Sequence, residues 1–164
     1  MMREIVKESD KLRELDETDR RILNILSENA REKLTAIAKR VHLSIDSTKK
    51  RVEKLERDGV IGKYTIQPVP SRIGLPLAVH VYIKLRNVTK ERHGEFISEM
   101  TKNPRVIDVM SMLGDYDMYI VILAKNTAEL DKMKIETKEK FADMIGDWKE
   151  VLVTEVHKLE EYSF

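Results

Sequence analysis

The sequence predicts an α+β fold in which three short helices precede a βαββαβ domain. Apolar residues recur at helical spacing in the first part of the chain, and alternating apolar patterns typical of strands dominate from residue 77 onward. Three of the four prolines lie between these two parts. The 164 residues therefore divide into an extension at 1–14, a helical domain at 15–66, a linker at 67–76 and a mixed domain at 77–164.

The composition indicates a globular chain whose charge is unevenly distributed. There is no cysteine, which excludes disulfides and thiolate zinc sites. No apolar run approaches the roughly 20 residues of a membrane span, and the N-terminus lacks the apolar core of a signal peptide, so we expect a cytoplasmic protein with no membrane partner. Residues 31–63 carry ten Lys or Arg against five Asp or Glu, whereas residues 67–164 carry 14 against 16. This asymmetry fits a polyanion-binding module, with a randomly charged surface as the alternative.

The first predicted helix begins at Asp16, which is a favoured N-cap residue, and runs to about Glu28. Asp19 places a negative charge in the first turn, where the helix dipole stabilises it. The apolar stripe of this helix consists of Ile22, Leu23, Ile25 and Leu26.

Only three residues separate the second predicted helix from the third. We expect Thr35 to cap the second helix and Ser44 to cap the third, which ends before Gly59, a residue that readily takes a positive φ. The buried side of the second helix comprises Ile37, Ala38 and Val41, and that of the third comprises Ile45, Thr48, Val52 and Leu55. Two helices joined by so short a turn, the second of them basic, form a helix-turn-helix.

The third helix would present its basic face to DNA, because the N-terminal half of this helix enters the major groove in such a motif. Ser47, Lys49 and Lys50 are expected to contact base edges or nearby phosphates, and Arg51 and Lys54 to contact the DNA backbone. For any single lysine, a solvated surface charge is the alternative. The predicted DNA-binding residues are Ser44, Ser47, Lys49, Lys50, Arg51, Lys54, Lys39 and Arg40.

A long motif runs through the three predicted helices. It comprises Leu15-Asp16-x-x-Asp19-Arg20-x-Ile22-Leu23, Ile37-Ala38-Lys39-Arg40-Val41-x-Leu43-Ser44 and Ser47-Thr48-x-x-Arg51-Val52-x-x-Leu55-Glu56-x-x-Gly59-Val60-Ile61. This order and spacing resembles the Lrp/AsnC (feast/famine) family, which implies a DNA-binding transcriptional regulator. His42 stands where the family usually has glycine, and Lys49 where it usually has a small apolar residue.

Residues 61–66 alternate like a strand and lead into the linker at 67–76. Pro68, Pro70 and Pro76 restrict φ and cannot donate to a sheet ladder, so we expect an extended connection here. Gly74 is similar in position to the glycine that precedes the second domain in the family.

Four strands and two helices are predicted after the linker. The strands are expected at 78–86, 106–112, 118–124 and 151–159. One helix begins after a cap at Thr89 and ends before Asn103, and the other begins after a cap at Thr127 and ends at Gly146. The order βαββαβ is typical of the ferredoxin-like fold, an antiparallel sheet with both helices on one face.

The face of the sheet without helices would need a cover. Residues 119–123 and 151–153 are apolar on both sides of their strands. A second copy of the sheet would cover that surface, so we expect a homodimer. A monomer with an unusually apolar exposed sheet is the alternative.

The loop between the second and third strands, Leu113-Gly114-Asp115-Tyr116-Asp117, resembles the Gly-Asp-Tyr-Asp signature of the family's regulatory domain. The resemblance implies dimers that associate further into octamers, with an amino-acid effector bound between dimers near this loop. Glycine leaves backbone N–H groups open to a carboxylate and Asp can pair with an ammonium group, whereas a tight hairpin without a ligand is the alternative. Trp148-Lys149-Glu150 stands where relatives have small hydroxyl residues. The effector-binding candidates are Gly114, Asp115, Tyr116 and Asp117.

No catalytic or metal-binding pattern is found in the sequence. The histidines have no metal-ligand spacing, and there is no nucleophile elbow or phosphate-cradling glycine loop, so we expect neither an enzyme nor a cofactor. The leading hypothesis is a sequence-specific regulator that binds double-stranded DNA as a dimer or larger assembly. The alternative is an architectural, chromatin-like protein with little sequence preference and no effector. The histidines are His42, His80, His93 and His157.

Overall fold

The computed structural model describes residues 14–159 and 161–164. All but Glu14 of the predicted extension therefore lies outside the described residues. The chain forms two compact units, of which one contains the described residues up to Ile66 together with Lys158–Phe164, and the other contains Gln67–His157. The last residues thus join the helical unit, although we expected them in the mixed domain. Within the described residues, no helix is long and apolar enough to cross a membrane.

Three helices are described in the first unit, from residue 14 onward, as the apolar periodicity predicts. They are α1 (Glu17–Glu28), α2 (Leu34–Val41) and α3 (Ile45–Arg57). Their apolar stripes meet in a core of fully or nearly fully buried side chains, although Ile45, expected on the buried side of the third helix, is 49% exposed. This core consists of Ile22, Leu23, Ile25, Ile37, Val41 and Leu55.

Two of the predicted caps are confirmed in this unit. The Asp16 carboxylate accepts a hydrogen bond from the Asp19 N–H at 2.8 Å, and the Ser44 hydroxyl accepts one from the Ser47 N–H at 3.1 Å. Gly59 also takes the expected positive φ, at 72°. These side-chain acceptors satisfy N–H groups that have no partner inside the helix.

The predicted cap at Thr35 is wrong. Helix α2 begins at Leu34, two residues before the start that a cap at Thr35 implies, after an extended Lys33 whose side chain makes no capping bond. The Lys33 carbonyl already accepts from the N–H groups of Ala36 and Ile37, at 2.9 and 3.0 Å. Thr35 therefore lies inside the first turn, where its backbone is already helical.

The segment at 61–66 is not a strand, although it alternates like one. A strand requires a neighbouring backbone, and in the described chain no ladder forms with these residues. The linker is also less extended than expected, since Pro70–Ile73 form a short 3₁₀ helix. Gly74 ends this turn with φ at 80°, a conformation that favours glycine.

The second unit has the predicted ferredoxin-like arrangement. Its elements are β1 (Leu77–Leu85), α4 (Lys90–Lys102), β2 (Val106–Ser111), β3 (Met118–Ala124), α5 (Thr127–Lys140) and β4 (Ile145–Leu152). The strands form one antiparallel sheet in the order β2-β3-β1-β4. Thr89 caps α4 as predicted, by accepting from the Arg92 N–H at 3.2 Å.

One face of the sheet carries the core of this unit. Val79, Val81 and Ile83 of β1 are buried on that face with their partners on β3. Phe96 of α4 meets Phe141 edge to face, with ring centroids 5.1 Å apart. Burial of these aromatic and branched side chains is the main stabilising contribution to the unit.

The predicted ends of α5 and β4 are wrong. Helix α5 ends at Lys140 and β4 begins at Ile145, whereas we expected the helix to reach Gly146 and the strand to begin at Val151. Phe141 lies in the turn between them and is fully buried. It continues the helical spacing of apolar residues in the sequence, but it packs into the core from the turn and not from the helix.

Two local details of this unit also differ from prediction. Thr127 is the first residue of α5, and Asn126 caps the helix by accepting from the Glu129 N–H at 2.9 Å. In β2 a register shift follows Val106, so Val106 and Val109 both pack against the core. The extra residue of a bulge breaks the alternation that the sequence suggested.

Candidate nucleic-acid interface and effector loop

Helix α3 exposes the basic side chains that were predicted to contact DNA. Lys49, Lys50 and Lys54 are all exposed. Lys49 forms an ion pair with Glu53 at 3.8 Å, and such an exposed pair contributes little free energy, so the ammonium group can readily exchange it for a phosphate. The exposed face of α3 is therefore chemically suited to a polyanion.

The N-terminus of α3 holds two serine hydroxyls in a defined arrangement. The Ser44 hydroxyl accepts from the Ser47 N–H and donates to the Ser47 hydroxyl oxygen at 2.8 Å. The Ser47 hydroxyl hydrogen is then free to point toward a phosphate or a base edge. Thr48, fully buried, donates to the Ser44 carbonyl at 2.9 Å and secures this first turn.

The predicted contacts on α2 lie at its C-terminal end. Lys39 and Arg40 are both exposed there. Arg40 donates to Glu28 at 3.2 Å, in an ion pair that is itself solvent-exposed. Their side chains belong to the same compact unit as the basic face of α3.

Arg51 is bound differently from the lysines on either side of it. One of its terminal nitrogens donates to Asp16 at 2.7 Å and to Asp19 at 2.9 Å. The hydrogen bonds with Asp16 and Asp19 raise the pKa of Arg51 above its usual value. The pKa of Asp16 is lowered, first by the hydrogen bond from the Asp19 backbone and then by the bond from Arg51. The sequence prediction missed this contact, for which the only signal was the pair of acids at the start of α1.

Asp117 connects the predicted effector loop to β1 through hydrogen bonds. Its carboxylate accepts from the Leu85 N–H at 2.8 Å and lies 3.4 Å from the Lys84 ammonium group. Its own N–H donates to the Ile83 carbonyl at 3.0 Å. Asp117 is thus bound to the sheet on both its backbone and its side chain.

The remaining loop residues differ in exposure. Tyr116 is half-buried and its hydroxyl donates to Asp147 at 3.3 Å. Burial, followed by the Asp147 charge, raises the pKa of Tyr116. Gly114 and Asp115 are exposed, and Gly114 has φ at 148°, which L side chains rarely adopt.

Trp148 and Glu150 lie within β4, whereas the last strand was expected to begin only at Val151. Their partners on β1 are Ile83 and Val81, so both side chains face the helices. Glu150 accepts from the Trp148 indole at 2.7 Å and from the Lys134 ammonium group at 3.2 Å. An earlier start for the last strand would have revealed this i, i+2 pair from sequence.

The fold and the basic helix define a DNA-binding regulator with a helix-turn-helix and a separate ferredoxin-like domain. A family model for winged helix-turn-helix DNA-binding domains matches residues 15–61. A model for the Lrp/AsnC ligand-binding domain matches residues 78–138. The chain belongs to the Lrp/AsnC family of transcriptional regulators, as the motifs in the sequence indicated.

Individual relatives cover nearly the whole chain. The HTH-type transcriptional regulator FL11 of Pyrococcus furiosus is 30% identical over 150 residues, which cover 88% of this chain and 92% of the relative. The regulator AldR of Mycolicibacterium smegmatis is 30% identical over 134 residues, or 82% of this chain and 78% of AldR. These relatives are transcriptional regulators, and the chain is a DNA-binding transcriptional regulator of the same type.

Solved structures agree with the fold. An AsnC family regulator of Agrobacterium tumefaciens superposes with a TM-score of 0.80 at 27% identity, covering 88% of this chain and 94% of the other. A transcriptional regulator of Neisseria meningitidis, solved as a complex with L-Met, shares the fold with a TM-score of 0.82 at 23% identity, covering 92% and 96% of the two chains.

Proposed function

We propose that this regulator binds double-stranded DNA sequence-specifically as a homodimer, with α3 in the major groove, and that an amino acid or related metabolite modulates its binding. The observation that carries the proposal is the exposed basic face of α3 within a helix-turn-helix. DNA as the partner also favours a cytoplasmic location. We retain the architectural, chromatin-like protein as the second candidate, because exposed lysines alone bind DNA without regard to sequence.

Each predicted DNA contact other than Arg51 has a proposed role. Ser47, Lys49 and Lys50, in the first two turns of α3, contact base edges or the phosphates beside them. Residues at the periphery contact phosphates and set the position of the helix on the duplex. These peripheral residues are Ser44, Lys54, Lys39 and Arg40.

The proposed dimer forms through the sheet face that carries no helices. On that face Tyr82 pairs with Tyr119, and the Tyr119 hydroxyl lies 3.2 Å from His80 Nδ1. Met110 and Val151 extend the same face on the two outer strands, where both are exposed. Aromatic and apolar side chains of this kind favour cover by a second copy. Further association of dimers into octamers is an extension of the same proposal.

The effector is proposed to bind at the loop that contains Gly114 and Asp115. The exposed Asp115 carboxylate suits an ammonium group, and the backbone at Gly114 can be approached closely by a carboxylate. Tyr116 and Asp117 hold the loop in place. The L-Met complex of the Neisseria regulator, which shares the fold, supports an amino acid as the ligand class.

Mobility-shift titration tests sequence-specific binding. The wild-type protein first selects a duplex from a random-sequence library, and its affinity for that duplex is compared with its affinity for a scrambled duplex at several salt concentrations. We expect the selected duplex to bind at least about 10³-fold more tightly, as specific regulators do. Equal affinity for the two duplexes would reject specific regulation in favour of the architectural protein.

Calorimetry against each of the twenty amino acids tests the effector. We expect binding heat with at least one of them, its loss in Asp115→Ala, and its retention in Glu139→Ala, a change to an exposed carboxylate on α5. An absence of heat with all twenty would remove the amino-acid effector and leave the DNA-binding proposal standing.

A further inference from the structure

Arg51 stands apart from the other basic residues of α3 because two carboxylates of α1 hold its guanidinium group. The same nitrogen donates to Asp16 and to Asp19. The Arg51 side chain is 35% exposed, whereas that of Asp19 is only 3% exposed. A charged group so well buried at a helix–helix contact indicates a structural connection between α1 and α3.

We propose that Arg51 is a positioning residue that sets the orientation of α3 against α1, and that it does not contact DNA. The proposal rests on the proposed function, in which α3 enters the major groove. It replaces the expectation from sequence that Arg51 contacts the DNA backbone.

The local charge argues against a phosphate contact. Arg51 with its two carboxylate partners carries a formal charge of −1, so the cluster as a whole repels a phosphate. Asp16 is 54% exposed and its carboxylate lies 2.7 Å from the guanidinium group, so a negative charge stands at the surface beside Arg51. Lys50 and Lys54 lie on the same helix and are exposed. Within the described residues, neither forms an ion pair with a carboxylate as Arg51 does.

The geometry supports a positioning role because the anchor on α1 is itself fixed. One Asp16 oxygen caps α1 by accepting from the Asp19 N–H at 2.8 Å, and the other accepts from Arg51. Arg51 follows Ser47 by four residues, so it lies on the same side of α3 one turn further on. A rotation of α3 that moved Ser47 would therefore have to break the bonds of Arg51.

The expected consequence is an effect on specificity rather than on electrostatic affinity. Base contacts require side chains held close to their productive positions by supporting residues, whereas non-specific phosphate contacts tolerate displacement. Loss of Arg51 should therefore weaken binding to a selected sequence more than binding to a scrambled one.

The experiment compares Arg51→Gln, Asp19→Asn and Lys54→Gln in the 164-residue chain. Affinities are measured against the duplex that the wild type selects and against a scrambled duplex, each over a series of salt concentrations. Lys54→Gln is the matched control, since it removes one exposed charge from the same helix. Circular dichroism verifies that each variant is folded at the temperature of the assay.

We expect Arg51→Gln to lower affinity for the selected duplex by about ten-fold, the size of the loss from one mismatched base pair, with an unchanged salt slope. Asp19→Asn should also lower the ratio of selected to scrambled affinity. Lys54→Gln should weaken both duplexes alike and reduce the slope by about 0.9 per protomer bound.

A phosphate contact would give the opposite pattern. Arg51→Gln would then reduce the salt slope as Lys54→Gln does, and Asp19→Asn would release the guanidinium group and raise affinity for both duplexes. Either result overturns the positioning role. If Arg51→Gln does not fold, Arg51→Lys and Asp16→Asn decide between the same two patterns.

The test also separates this proposal from the proposed function. If the wild type prefers no sequence, specific recognition has failed, and the salt slope on the scrambled duplex still decides the role of Arg51. An unchanged slope in Arg51→Gln supports the positioning role there, and a reduced slope overturns it.

Discussion

At the scale of single residues, His42 is the clearest departure from ordinary backbone conformation. It lies between α2 and α3 with φ at 58° and ψ at 42°, in the left-handed region. A residue with a Cβ atom loses roughly 1–2 kcal/mol in this conformation, which glycine adopts freely. The turn of the helix-turn-helix therefore contains strain that the short connection requires.

We expect His42→Gly to stabilise the helical unit by about 0.5–1 kcal/mol, because relief of the left-handed conformation exceeds the added entropy of glycine in the unfolded chain. Urea unfolding would measure the change. Asn87→Gly is the control, since Asn87 also has a positive φ but asparagine tolerates it better, so its gain should be smaller. A destabilised His42→Gly variant would show that the imidazole makes a stabilising contact.

Asp16 should make the helical unit sensitive to acid. Its pKa is lowered in the folded protein from an ordinary value of 3.8, so protonation favours the unfolded chain. The stabilisation is therefore present above about pH 3.8 and is lost as the pH falls through the lower folded pKa. We expect Asp16→Asn to flatten the decline of melting temperature below pH 4, as measured by thermal unfolding at a series of pH values. An identical decline in Asp16→Asn and wild type would contradict this.

At the scale of secondary-structure elements, Trp148 and Glu150 connect β4 to α5. The indole N–H and the Lys134 ammonium group both donate to the Glu150 carboxylate. Because Trp148 is 9% exposed, the indole packs in the core while its polar atom reaches this carboxylate. The contact between Lys134 and Glu150 thus joins α5 to β4, and the indole fills space in the core.

We expect Trp148→Phe to destabilise the sheet unit by about 1–3 kcal/mol through loss of a hydrogen bond to a charged group, beyond any effect of ring size. The same substitution in a Glu150→Gln background should lower the free energy of unfolding by less. The difference between the two losses measures the coupling between Trp148 and Glu150. Far-UV circular dichroism is the suitable probe of unfolding. Tryptophan fluorescence cannot be used, because Trp148 is the only tryptophan and the substitution removes it. Equal costs in both backgrounds would show that the indole acts through packing alone.

The caps show how far local sequence specifies the elements. Asp16, Ser44 and Thr89 were identified as caps from sequence, and each accepts the expected N–H. The predicted cap was two positions late at Thr35 and one position late at Thr127, because Lys33 and Asn126 already adopt the extended backbone of a cap. A capping side chain is a local signal, but competition between adjacent candidates depends on how the helix packs.

At the scale of the whole molecule, the proposed dimer can be tested by the molecular mass of the protein in solution. We expect the Met110→Lys/Val151→Lys double variant to shift the protein from dimer to monomer, because two ammonium groups on each copy would oppose burial of that sheet face. Both positions are exposed in the chain, so the fold should tolerate them. Light scattering after size exclusion would measure the mass.

The control for this mass measurement is Ile135→Lys, which changes an exposed apolar residue on α5. It should leave the dimer intact because α5 lies on the other face of the sheet. A double variant that keeps the dimer mass would place the interface elsewhere.

The candidate sites were predicted to different extents. The basic residues of α3 were found from sequence because helical periodicity separates an apolar stripe from the remaining faces. The partners of these residues could not be predicted from sequence. Arg51 shows this, since the two carboxylates that it contacts lie 35 and 32 positions away along the chain. Asp117 was likewise predicted in the correct loop, but its bond to the Leu85 N–H depends on how β1 and β3 pair.

The three-helix unit and the βαββαβ order could be predicted from sequence because caps, spacing and alternation act over a few residues, and the motifs carried the resemblance to the family. The fold was needed to show that Arg51 pairs with α1 and that Glu150 faces α5. It was also needed to show that the last residues join the helical unit, where Phe164 and Asn24 are hydrogen-bonded. These outcomes depend on which distant backbones come to lie side by side. Short-range patterns carry no information on that, so the physical role of such residues is set by packing.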